Sequence, residues 1–315
     1  MKFAFVVDPL DGLKACKDSS VAMMRAATRR GHECSTVQRE TLAWRDGATT
    51  GEAVRIAPQD SDHPWYVALE TRRAALAEFD AVLMRQDPPF DFEYITATWL
   101  LERAQGEGAR IFNQPRAVRD HSEKVAIAEF PQFIAPTLIA RSATDIQAFI
   151  DATQDCVLKP LDGMGGASVF RVRHDDPNRN VIVETLTECG ARTVMAQRFL
   201  PEIAQGDKRI LLIGGAAVPY ALARIPKPGD SRGNLAAGGT GRAQPLSARD
   251  REIADALGPV LAARGLLLVG LDVIGDCVTE INVTSPTCFV EIAQQTGFDV
   301  AGRFIDALEA ACAGC

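Results

Sequence analysis

Histidine and lysine are scarce in this chain. Four histidines and seven lysines are spread over 315 residues, against 27 arginines. No histidine lies in the glycine-rich and acidic strings described below, and no Ser-His-Asp or Cys-His constellation is evident. A basic excess is also missing: 34 Lys+Arg against 41 Asp+Glu leave a net charge of -7. Little is then available to displace counterions along a nucleic-acid backbone, although a local basic pocket for a small anion stays open. The longest apolar stretches, Leu266–Ile274 and Ile210–Ala223, are broken by Gly, Pro or Asp and fall short of a membrane span. Only Phe3–Val7 precede Asp8 as an apolar run, too little for a signal-peptide core. The eight cysteines show no framework spacing, which suits reduced thiols. Cys312 and Cys315 read as incidental thiols on a frayed tail. These absences predict a soluble cytoplasmic protein with neither nucleic acid nor membrane as partner.

What is present is ordinary globular material, 47% hydrophobic and 24% charged, enough for two or three domains. The first third alternates strand and helix. Lys2–Val7 reads as a strand, then a helix capped by Asp18 or Ser19 and stopped at Gly31. Phe79–Met84 is a second strand, and Glu93–Gly108 a helix with Ile95, Trp99, Leu100 and Arg103 near one face. A short strand follows at Arg110–Phe112. Such βαβ logic places ligands at strand carboxyl ends, here Asp8 and Arg85–Asp87. From Ser122 the pattern changes to a helix (Ser122–Phe130) and short strands alternating with helices. Thr193–Phe199, Lys208–Ile213 and Ala217–Arg224 read as successive strands of one antiparallel sheet. Residues 226–241, with five glycines and two prolines, read as a mobile loop.

Three groups of residues carry chemistry. In Cys156–Ser168 a strand delivers Lys159, and a loop with Gly163, Gly165 and Gly166 turns back. Glycines let backbone amides approach an anion, and a lysine beside them adds a point charge suited to phosphate. A ligand-free glycine-rich hairpin fits the same pattern equally well. The spacing matches neither of the two common nucleotide-binding glycine motifs.

The second group lies in Val269–Val283. Glu280 and Asn282 share one face of a strand, and Asp272 stands on the strand before. A two-residue turn at Gly275-Asp276 would put Asp272 opposite Thr279. A three-residue turn, 275–277, would put it opposite Glu280. Two facing carboxylates repel unless a cation lies between them, and oxygen-only ligands favour magnesium. The metal expectation therefore requires the odd turn. A solvated edge hairpin is the alternative. The third group is a set of cations in apolar surroundings: Lys124, Arg209 and Arg224. Together the three groups suggest a nucleoside triphosphate with metal between two sheets.

At this point the strings LKPLDGMGG (158–166), ARIP (223–226), RGNLAAGG (232–239) and EINVTSPT (280–287) resemble the bacterial glutathione synthetases, ATP-grasp ligases. The resemblance extends to Asp8-Pro9, KDSS (17–20) and MRQDPPFD (84–91) and so runs nearly end to end. It implies an α/β fold: an N-terminal Rossmann-like domain (1–121) before a split ATP-grasp fold of two α+β subdomains, 122–200 and 201–315. It implies ATP-dependent joining of γ-glutamylcysteine and glycine through an acyl phosphate. By the same resemblance Lys124 and Lys159 hold phosphates under Gly163, Gly165 and Gly166, with Gln197, Phe199 and Leu200 at adenine and Asp207 at ribose. Asp272, Glu280 and Asn282 hold two magnesium ions, for which manganese can substitute. Arg209 and Arg224 stabilise the transferring phosphoryl. Asp18, Ser19, Arg85, Ser285 and Thr287 meet the substrates, and a lid with Arg232, Gly233, Asn234, Gly238 and Gly239 closes over them. A homotetramer is implied as well. Gln86 and Val290 depart from the lysine and arginine that members often carry there, so another amino-acid acceptor is the runner-up. A nucleotide-binding regulator without catalysis is the third reading.

Overall fold

The computed structural model describes residues 1–163, 165–229, 232–235 and 238–314. The chain opens with strand β1 (Lys2–Val6), helix α1 (Ser19–Arg29) and strand β2 (Glu33–Val37). Asp18 caps α1 by accepting the Val21 N–H at 2.9 Å, and Gly31 takes the left-handed conformation just beyond the helix end. Strands β3 (Ala43–Arg45), β4 (Ala48–Pro58) and β5 (Tyr66–Ala75) follow, then β6 (Ala81–Met84), α2 (Phe92–Gly106), β7 (Ile111–Phe112) and α3 (Pro115–Asp120). The strands form one seven-stranded sheet in which β2, β1, β6 and β7 lie parallel, with β3, β4 and β5 added antiparallel beyond β2. β2 to β5 were invisible in the alternation pattern. β5 reads YVALETRRAA and is exposed along most of its length, so it carries no buried period-2 signal.

Next come β8 (Thr137–Ala140), α4 (Ala143–Thr153), β9 (Asp155–Pro160), β10 (Phe170–Arg173), α5 (Arg179–Thr187) and β11 (Val194–Arg198). These four strands make an antiparallel sheet ordered β10-β9-β11-β8. The last unit holds β12 (Asp207–Ile213), β13 (Ala216–Ile225), β14 (Thr240–Pro245), α6 (Ala248–Ala263), β15 (Leu268–Ile274), β16 (Cys277–Asn282), α7 (Phe289–Thr296) and α8 (Val300–Ala313). Its sheet runs β14-β13-β12-β15-β16, antiparallel throughout.

Four expectations need correcting. The strands at 207 and 216 pair antiparallel as expected, but the strand at 194 belongs to a different sheet: a 3₁₀ turn over Pro201–Gln205 and Gly206 at φ 114° carry the chain from one sheet to the next. The helix expected over Ser122–Phe130 is only a 3₁₀ turn, Val125–Glu129, which ends at Phe130, where Pro131 disfavours helical backbone. α2 buries Tyr94, Ala97, Thr98, Leu101 and Ala104, while Trp99 is exposed against Phe92. The buried face of this helix mixes Tyr94 and Leu101 with the small Ala97, Thr98 and Ala104. Cys312 is no frayed thiol: it is buried in α8, its sulfur donates to the Asp80 carbonyl, and its own carbonyl accepts from Arg110. Cys315 lies outside the described residues.

Two apolar clusters join the N-terminal sheet to the C-terminal one, for example Phe3, Phe5 and Met24 with Leu211, Phe289 and Phe304. A third, around Ile146, Ile150, Leu158 and Val172, belongs wholly to the four-stranded sheet and its helices. The first and last parts of the chain thus pack together, while the middle lobe keeps a core of its own and reaches the shared cluster through Met195 of β11. Among the described residues no helix is long and apolar enough to cross a membrane.

Candidate functional site

The middle lobe and the C-terminal sheet face each other across a cleft. β9 brings Lys159 to it, β11 brings Gln197, and β15 and β16 bring Asp272 and Glu280. The same cleft is lined by Lys124, Gly163, Gly165, Gly166, Phe199, Leu200 and Asp207, and by Arg232, Gly233 and Asn234 from the other side. Val157, Ala135, Ile203 and Ile274 give it an apolar floor near Gln197, which no motif announces.

Asp272 stands directly opposite Glu280 in the ladder, as the metal expectation needs, but not by the expected route. The turn has two residues, with Ile274 paired to Cys277 and Val273 to Val278. Thr279 is then an extra residue in β16, and this bulge restores the Asp272–Glu280 pairing. The Thr279 hydroxyl donates to the Asp272 carbonyl at 3.2 Å, and its own carbonyl accepts from the Lys159 ammonium at 3.2 Å. Lys124 and Lys159 each lie 3.6 Å from the same Glu280 oxygen. Lys124 also donates to the Gly163 carbonyl at 2.7 Å and so ties the glycine loop to the carboxylates. Burial pushes the Lys159 pKa down, opposed by Glu280 and reinforced by the nearby Lys124.

Arg209 and Arg224 are buried behind the cleft wall. Arg209 holds Asp272 through two bonds, 2.5 Å from Nε and 3.2 Å from Nη2. Arg224 Nη2 lies 2.9 Å from the same carboxylate and also donates to Asp207. Burial raises the Asp272 pKa, but the two guanidiniums more than reverse this and hold it far below the usual carboxylate range. Asp207 moves the other way: burial, with Asp272 and Glu280 adding, outweighs Arg224. One Asp207 oxygen, Oδ1, is buried without a partner. The approach of Arg209 depends on Gly270, where a Cβ would stand 2.9 Å from the Arg209 side chain and 2.9 Å from Pro286.

Asp272 and Glu280 offer a cation only oxygens, and Asn282 adds an amide oxygen while its Nδ2 donates to the Gly270 carbonyl at 3.1 Å. Among the described residues no three His, Cys, Asp or Glu side chains converge as a metal set. A carboxylate pair and an amide beside a phosphate-sized cleft nevertheless fit magnesium, which takes one or two carboxylates and completes its shell with water and substrate phosphates.

The residues expected at the other substrates gather at the junction of the first and last sheets. Arg85 is buried; its Nε donates to Ser20 at 3.1 Å and its Nη2 to the Pro286 carbonyl at 2.9 Å, and Nη1 is buried without a partner. The Ser285 hydroxyl donates to Asp87 at 2.5 Å, and Asp8 accepts from Gln86 at 2.5 Å. Thr287 lies beside the Cys288 sulfur. Asp18 and Ser19 are both engaged in structure: Asp18 caps α1, and the Ser19 hydroxyl accepts the Phe289 N–H at 3.3 Å. Of the residues expected to form a lid, Gly233 packs against Arg224, where a Cβ would stand 2.4 Å from the Arg224 carbonyl. Asn234 and Arg232 lie against Gly166. Gly238 and Gly239 precede β14, while residues 230, 231, 236 and 237 lie outside the described residues.

Family models match almost the whole of this framework: the prokaryotic glutathione synthetase N-terminal domain over residues 1–119, and the ATP-grasp domain of the same enzymes over 123–297. The chain belongs to the prokaryotic glutathione synthetase family. It is 59% identical over 312 residues to a glutathione synthetase of Nitrosomonas europaea, covering 98% of each chain. To one of Ralstonia nicotianae it is 58% identical over 311 residues, covering 99% of this chain and 96% of that one. Among solved structures, the fold matches the D-cycloserine synthetase DcsG with a TM-score of 0.67 at 18% identity, over 99% of this chain and 100% of that one. It also matches the macrocyclase MdnC of Microcystis aeruginosa with a TM-score of 0.65 at 15% identity, over 98% and 100%.

Proposed function

We propose that this cleft runs the reaction of the family: ATP-dependent ligation of γ-glutamylcysteine with glycine to give glutathione, ADP and phosphate. The chain is an ATP-dependent carbon–nitrogen ligase. The observation that carries the site assignment is the Asp272–Glu280 pair, with Lys124 and Lys159 both 3.6 Å from one Glu280 oxygen beside the glycine loop.

In this account the cysteinyl carboxylate attacks the γ-phosphorus of ATP, and ADP leaves. The glycine amine then attacks the acyl carbon, a proton is lost, and phosphate departs with the former carboxylate oxygen. Lys124, Lys159 and the amides of Gly163, Gly165 and Gly166 hold the phosphates. Gln197, Phe199 and Leu200 meet the base, and Asp207 the ribose. Asp272, Glu280 and Asn282 would hold magnesium, which would supply charge neutralisation for phosphoryl transfer. Arg209 and Arg224 act on the phosphoryl indirectly, by keeping Asp272 ionised and aimed. Arg85, Asp18, Ser19, Ser285 and Thr287 form the dipeptide and acceptor side. The lid around Arg232, Gly233, Asn234, Gly238 and Gly239 keeps water from the acyl phosphate. The division at residues 121 and 200, two metal ions with manganese as substitute, a cytoplasmic setting and a homotetramer belong to the same proposal.

The test is ADP release with γ-glutamylcysteine plus glycine, compared with other amino-acid acceptors. Glycine should give equal amounts of ADP and glutathione. Preference for another acceptor would redirect the assignment, and nucleotide binding without turnover on any acceptor would favour a regulator.

A further inference from the structure

β16 is the outermost strand of its sheet, and its free edge is covered from an unexpected source. Ile281 donates its N–H to the Glu123 carbonyl at 2.8 Å, so residue 123 lies alongside the strand, with Lys124 next in line facing Glu280. The Glu123 carboxylate then reaches past the strand end. Its Oε1 accepts three bonds: the Val283 N–H at 2.9 Å, the Thr284 N–H at 3.1 Å and the Thr284 hydroxyl at 2.9 Å. From the opposite side Asn113 donates to the Val283 carbonyl at 2.8 Å. Both main-chain groups of Val283 are therefore held by side chains from outside its own sheet. Val283 and Thr284 are the two residues between Asn282 and Ser285.

We propose that Glu123 is a positioning residue of the ligase: it locks the segment Glu280–Ser285 in register with Lys124, and so sets the phosphate side and the dipeptide side of the cleft relative to each other. The proposal rests on the function given above. The physical reason is reach. Lys124 and Glu123 are consecutive, so one short stretch of backbone carries both a phosphate lysine and the clamp on the segment that must meet it. Misplacement of reacting groups by about an ångström costs on the order of a hundredfold in rate. Loss of the clamp lets Asn282 and Ser285 move while Lys124 stays attached to Gly163.

Three variants test this. Glu123→Ala removes all three bonds, and Glu123→Gln keeps an acceptor oxygen in the same place. Glu107→Ala is the stability control, since Glu107 makes a similar clamp on Trp44 and Thr49 within the N-terminal sheet. Glu123→Ala should lower kcat/KM for the dipeptide by roughly 10–100-fold. Glu123→Gln should recover most of it, and Glu107→Ala should lower only Tm. If Glu123→Ala does not accumulate as folded protein, Glu123→Asp, one methylene shorter, withdraws the same oxygen and takes its place. Hydrogen exchange at the Val283 and Thr284 amides, read without substrates, should accelerate in Glu123→Ala and not in Glu107→Ala. Unchanged exchange, or unchanged kinetic constants in the folded variant, overturns the proposal. A wild-type chain that makes no glutathione sinks the ligase reading instead, and the exchange measurement still decides the clamp.

Discussion

Asp272 faces Glu280 across the last ladder of the C-terminal sheet only because Thr279 is an extra residue between them in sequence and pairing. The two carboxylates are kept apart in chemistry as well as joined in space. Asp272 is gripped by two arginines, and Glu280 by two lysines that face the cleft. One carboxylate is thereby fixed, and the other is left where phosphate-binding cations can be exchanged between it and a ligand.

The grip on Asp272 has a measurable cost when broken. Asp272→Ala leaves Arg209 buried without its carboxylate and removes one of the two that hold Arg224. Unfolding by urea should show a loss of about 3–5 kcal/mol, the range for a buried pair that loses one partner. An unchanged midpoint would mean that the guanidiniums find other acceptors, and the fixed-carboxylate account would fail. Glu280→Ala should also lower stability, because it strips the shared carboxylate from the buried Lys124 and Lys159 ammoniums, and it should abolish turnover.

Asp18 gives a pH prediction with a definite sign. Burial raises its pKa above the ordinary value, against the Val21 N–H bond and the Arg85 charge. A carboxyl raised in the folded state binds more protons there, so stability falls as pH climbs from the unfolded pKa, about 3.9, through the folded one. Asn is an equally good cap without the charge. Asp18→Asn should therefore gain stability relative to wild type between pH 4 and pH 8. A gap in urea midpoint that does not change with pH would show that burial of this charge costs nothing.

Gly233 tests the lid. A methyl group there would meet the Arg224 carbonyl at 2.4 Å, so Gly233→Ala should prevent the loop from seating. The expected signature is ADP formation in excess of glutathione, as water reaches the acyl phosphate. Coupling that stays one to one would argue against closure by this loop.

Much of this site was legible in the chain before any coordinates. Lys124, Lys159, the glycine loop and the shared face of Glu280 and Asn282 were readable because residue chemistry and strand alternation are local, but strand parity left the partner of Asp272 open. The bulge at Thr279 was not readable, since nothing in Gly275–Glu280 distinguishes an odd turn from an even turn plus an extra residue. β4 and β5 carry no clean apolar alternation, since the buried positions of β4 include Thr49 and Gly51 and β5 is exposed over most of its length, while α2 mixes Tyr94 and Leu101 with small buried residues. Glu123 was hidden for another reason: its partners lie 160 and 161 residues away, and in the sequence it is an ordinary charge in the first turn of the helix read over 122–130.

Activation of the cysteinyl carboxylate as an acyl phosphate is the central step of the proposed reaction. It is tested most directly with γ-glutamylcysteine carrying ¹⁸O in that carboxylate, incubated with ATP, glycine and the enzyme. One labelled oxygen should appear in inorganic phosphate for each glutathione formed, because the bridging oxygen leaves with phosphorus. Glutathione formed alongside wholly unlabelled phosphate would contradict it.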